Sequence, residues 1–82
     1  STKGEWKRAT DIYAQGLVQY PMDEHLMKNA SVTWDRWART HMDKKEWGPA
    51  IKVYQLGLKL LPKSRLLKRN LEYCKHQQLK EI

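Results

Sequence analysis

The chain repeats itself at a fixed distance, and this limits its fold more than any other feature. Glu5, Trp6, Ala9, Tyr13, Gly16, Leu17 and Pro21 recur as Glu46, Trp47, Ala50, Tyr54, Gly57, Leu58 and Pro62, each 41 positions later. Past the prolines the same offset carries Leu26 onto Leu67 and Asn29 onto Asn70. A single coincidence would mean little, but nine at one offset mean duplication. A period of this size belongs to architectures that stack small supersecondary units.

The spacing inside each copy is helical. Trp6, Ala9, Tyr13, Gly16, Leu17 and Tyr20 lie on one stripe, as do Trp47, Ala50, Ile51, Tyr54, Gly57, Leu58 and Leu61. Leu26, Ala30, Trp34, Trp37, Ala38 and His41 draw a second stripe between the copies, and Leu67, Leu71, Cys74 and Leu79 draw one after Pro62. No stretch alternates with period two for long enough to argue for a strand. The expectation is an all-α chain, a single domain over residues 1–82, with helices at about 5–20, 24–43, 46–61 and 64–80.

Punctuation agrees with that division. Asp23 and Ser64 each follow a proline by two residues, where a short polar side chain can accept from the free N–H groups of the next helix. Pro49 falls in the first turn of a helix that starts at Glu46 or Trp47, where no intrahelical N–H is needed. Gly16 and Gly57 stand mid-helix, at a cost of about 1 kcal/mol each against alanine. Their shared register points to close helix crossings that admit no Cβ.

Eighty-two residues support one small core, and 40% of them are hydrophobic, including four Trp and four Tyr. The formal net charge of +7 favours acidic partners, whether protein, nucleic acid or an anionic surface. A lone Cys74 cannot form an internal disulfide, so nothing follows about the redox compartment or the localisation. No apolar run approaches the ~18 residues of a membrane span, and no signal-peptide pattern is present, although a targeting segment upstream would be compatible with this sequence.

Chemistry is hard to find. Cys74 and His76 are two apart on a helix and so lie on different faces, which leaves Cys74 as a small core residue. His25, His41 and His76 share no metal-ligand spacing. The glycines are placed for helix crossings rather than for cradling phosphate. We therefore expect no catalytic residue, no metal and no cofactor. Trp34 and Trp37 could stack on bases or cage a cation, but both lie on the core stripe.

With these residues in place, the pattern resembles the tetratricopeptide repeat family, whose 34-residue unit is a pair of antiparallel helices. One full unit fits Ser31 to Ser64. Trp34 takes the first aromatic position, Trp37 stands where Leu is usual and Ala38 takes the small position. Ala50, Tyr54, Gly57 and Pro62 fill the second helix, and His41 replaces the usual Tyr. Gly4-Glu5-Trp6 matches the family's inter-helix turn, so residues 5–20 resemble a second helix. Ser1–Lys3 would then be the stub of a preceding helix or residues of no native origin. Residues 65–82 resemble a first helix serving as a cap. The period exceeds 34 by seven residues, placed around 24–30. Seven residues are close to two turns, over which an apolar stripe drifts by only about 20°, so the expectation is a longer helix and not a bulging loop.

The resemblance implies four antiparallel helices stacked as a fragment of a right-handed superhelix, a scaffold that binds a protein or peptide on a concave face. Candidate residues for that face are Lys28, Asp35 and Arg39 on the long helix, and Arg69, Tyr73, His76 and Lys80 on the last. Arg39 and Arg69 would anchor a partner's carboxylates. A unit that packs on other domains of a longer parent chain is a further possibility, which an exposed apolar strip along the first helix would favour; the alternative binding function is that of a basic helical-repeat domain that binds nucleic acid or another polyanion. It is the weaker of the two because only Tyr73 interrupts the basic run of Lys63, Arg65, Lys68, Arg69, Lys75 and Lys80.

Overall fold

A computed structural model describes residues 3–81, and within them the chain is four α-helices with no strand. They are α1 (Lys3–Gln19), α2 (Glu24–Met42), α3 (Trp47–Leu60) and α4 (Arg65–Lys80). Of the short segment expected to precede the first helix, Ser1 and Thr2 lie outside the described residues, and Lys3 begins α1. Residues 24–30 form the first turns of α2, so the added seven residues are helical.

The duplication is visible in the hydrogen bonds. Tyr20 N–H donates to the Gly16 carbonyl and Asp23 N–H to the Tyr20 carbonyl; 41 positions on, Leu61 N–H donates to Gly57 and Ser64 N–H to Leu61. Each turn ends in a side-chain cap. The Asp23 carboxylate accepts from Leu26 N–H at 3.0 Å, and the Ser64 hydroxyl accepts from Leu67 N–H at 3.3 Å. Such caps satisfy donors that the first helical turn leaves without partners.

The turn between α2 and α3 is built differently. Lys45 N–H donates to the Met42 carbonyl and Glu46 N–H to His41, the paired bonds of a Schellman closure. That closure needs a left-handed residue, and Lys45 supplies it at φ 58°. Pro49 then sits in the first turn of α3, where its missing N–H is harmless.

Each helix packs on its successor, and α2 also touches α4. Gly57 meets Leu67 while Trp47 donates its indole N–H to Glu81, so α3 and α4 run antiparallel. The core is Leu17, Ala30, Trp34, Trp37, Ala38, Ala50, Val53, Tyr54, Leu61, Leu67, Leu71 and Cys74. Trp34 and Trp37 stack with ring centroids 5.3 Å apart and planes inclined by 21°. The Trp34 indole N–H is buried with no acceptor among the described residues, a penalty of about 1–3 kcal/mol that the ring's packing must outweigh.

Gly57 explains its own position. A Cβ there would stand 3.0 Å from both Leu67 Cδ1 and Trp34 Cγ, so the α2, α3 and α4 surfaces meet at this point. Two residues placed on apolar stripes by spacing are exposed instead, Tyr20 and Leu79. Leu79 corresponds by offset to Ala38, which α3 covers. No helix follows α4 among the described residues to do the same.

A candidate interaction surface

The polar centre of the molecule comes first, because it decides which charged residues are available to a partner. Asp35 is only 7% exposed. Its Oδ1 accepts from the Tyr54 hydroxyl at 2.6 Å and from Asn70 Nδ2 at 2.7 Å, while Oδ2 accepts from Arg39 Nε at 2.8 Å. One carboxylate thus ties α2 to both α3 and α4. Burial opposes its ionisation, but the hydrogen bonds from Tyr54, Arg39 and Asn70, together with the Arg39 charge, hold it below the ordinary aspartate value. Burial and then the bond to Asp35 push the Tyr54 phenol well above its usual range. Burial, assisted by the Asp35 charge, raises the Cys74 thiol to about 11, which keeps it protonated and inert at neutral pH.

Asp35 was therefore misplaced as a residue of an outward, partner-binding face. It is a buried acceptor, because Tyr54 and Asn70 converge on it from two other helices. The other candidates are scattered. Arg39 is exposed along one side but commits its Nε to Asp35. Tyr73 is half-exposed and sets its ring edge-on to Trp47, with centroids 6.1 Å apart. Arg69, His76 and Lys80 are exposed on α4. Lys28 alone borders a concave surface.

That surface is an apolar groove of about 770 Å³ at one end of the bundle. Leu17, Val18 and Met22 form one wall, Met27 and Val32 of α2 the floor, and Leu60 to Leu66 the opposite wall. The two Pro turns place these walls facing each other across α2. Lys28, Lys63 and Arg65 border the groove, so its rim is cationic while its floor is apolar. Val18 and Met22 are largely exposed although hydrophobic. Sequence reasoning passed over both, since they lie off the core stripe; two apolar side chains flanking Pro21 were the available signal.

A second concavity runs beside Trp37, His41, Trp47, Pro49 and Leu56. His41 Nδ1 lies 2.9 Å from a Glu46 carboxylate oxygen there, and that contact lowers the Glu46 pKa. Among the described residues no three His, Cys, Asp or Glu side chains gather into a cluster that could hold a metal ion, and no helix is long and apolar enough to cross a membrane.

No protein-family model, no curated protein and no solved structure matches this chain.

Proposed function

We propose that this chain is a protein-interaction module of tetratricopeptide type, a scaffold with no catalytic role, and that the groove between the two Pro turns receives a peptide. The observation that carries this is the combination of an apolar floor with a rim of Lys28, Lys63 and Arg65. Such a lining matches an amphipathic segment that buries aliphatic or aromatic side chains and presents carboxylates to the edges. Repeat scaffolds offer extended surfaces of this kind because each unit contacts only its neighbours.

The test is a calorimetric titration with a short acidic peptide bearing two or three apolar side chains, repeated with a single-stranded oligonucleotide at two ionic strengths. Lys63→Glu with Arg65→Glu should weaken peptide binding by about tenfold or more, while Arg69→Glu with Lys80→Glu should leave it nearly unchanged. The reverse pattern would move the site to the α4 stripe. The polyanion reading has the net charge of +7 in its favour. It requires tighter binding of the oligonucleotide and a steep loss of affinity with added salt.

A further inference from the structure

The two copies can be compared position by position at the groove, and there they have diverged in one direction. Val18, Met22 and Met27, which line the groove, have Lys59, Lys63 and Lys68 as their counterparts 41 positions later. Two further lining residues, Ala14 and Val32, become Gln55 and Tyr73. Lys28 on the rim keeps its charge as Arg69. All six counterparts are exposed.

The openness of these positions follows from their register and not from a missing neighbour. α3 has α2 packed before it and α4 after it, and still leaves Gln55, Lys59 and Lys63 in water. A helix packed before α1 in the same way leaves Ala14, Val18 and Met22 equally open. Solvent-facing positions on such helices are ordinarily polar, yet Val18 and Met22 are 84% and 81% exposed. The fold does not require apolar residues there, since the second copy carries lysine at both.

Charge follows the same division. Residues 12–22 contain no charged side chain, whereas residues 47–71 contain six cations and no carboxylate. Among the described residues none of Lys59, Lys63 and Lys68 is engaged in an ion pair. Lys63 belongs to both surfaces, because it borders the groove and is the counterpart of Met22. Lys59 stands in the last turn of α3 and Lys68 near the start of α4, on either side of it. The apolar groove and the cationic surface therefore share an edge at Lys63.

We infer that the peptide received by the groove is of block type, with apolar side chains grouped at one end against Val18, Met22 and Met27, and carboxylates grouped at the other against Lys59, Lys63 and Lys68. This rests on the groove reading above and adds to it the order of the ligand's residues. Carboxylates interleaved among apolar residues would press charge against the uncharged α1 wall, where losing water costs energy and no cation compensates. A block segment meets each surface with its complement.

The probes are synthetic peptides of one composition, titrated calorimetrically into the full chain. Their acidic residues are grouped at the N-terminal end, grouped at the C-terminal end, or alternate with the apolar ones. One of the grouped peptides should bind about tenfold more tightly than the alternating one. Lys59→Gln with Lys68→Gln should remove that advantage and leave the alternating peptide unaffected, since neither residue borders the groove. Added salt should shrink the advantage in the same way, because exposed charges are screened. Val18→Lys with Met22→Lys should weaken every peptide by about tenfold or more at an unchanged melting temperature, as the second copy accommodates lysine at both positions. Equal binding of grouped and alternating peptides, or an advantage that survives Lys59→Gln with Lys68→Gln, would overturn the inference and leave the groove reading standing. Indifference of every peptide to Val18→Lys with Met22→Lys would sink both, as would preference for a single-stranded oligonucleotide or phosphatidylserine vesicles over all the peptides.

Discussion

Asp35 shows how one side chain can be misread from spacing and what it does instead. It stands next to Trp34 on the edge of the apolar stripe, and a carboxylate at a stripe edge reads as solvent-facing. Nothing in the sequence says that Tyr54 and Asn70 meet it, because both partners come from other helices. Asp35→Ala should cost about 2–4 kcal/mol in denaturant unfolding, since two buried donors lose their acceptor while the exposed Arg39 returns to water. The pH dependence has a definite sign. The folded-state pKa is lowered, so the contribution is complete above the unfolded value near 4, declines as pH falls below it and vanishes under the folded pKa. Asp35→Asn should therefore flatten the acid limb of a stability-against-pH curve. Lys45 makes a second case: a non-glycine residue at φ 58° carries a strain of about 1 kcal/mol. Lys45→Gly should raise the melting midpoint in thermal unfolding, because relief of that strain exceeds the added freedom of the unfolded chain.

The helices themselves were the legible part. Apolar stripes, the two prolines and the cap residues Asp23 and Ser64 are local signals, and local signals decide where a helix starts and which side it buries. The glycine register was legible for the same reason, because a costly residue recurring at one position needs a spatial explanation. Gly57→Ala should destabilise by about 1–2 kcal/mol, as overpacking against Trp34 and Leu67 exceeds the helix-propensity gain. Ser64→Ala should cost about 1 kcal/mol, and it also removes the acceptor of the Ser31 hydroxyl at 3.0 Å, a contact that joins α2 to α4. Chemical denaturation of both variants checks these values. The groove was less legible. Its walls come from three separate stretches, and Val18 and Met22 acquire meaning only when the turn at residues 60–66 stands opposite them.

At the scale of the whole molecule, charge and shape divide the work. The net charge of +7 is spread over solvent-facing positions, while Asp35, the one carboxylate buried among the described residues, is saturated by donors. Each helix is laid against the one that follows it in the chain, with the crossing from α2 to α4 as the longer link. That arrangement has a kinetic consequence. Contacts between elements a short loop apart can close without the delay of searching for distant segments, so chains whose X–Pro bonds are already trans should refold within about a millisecond. Stopped-flow or temperature-jump relaxation of tryptophan emission should be dominated by that fast phase, slowed most by lesions at the Gly57 crossing.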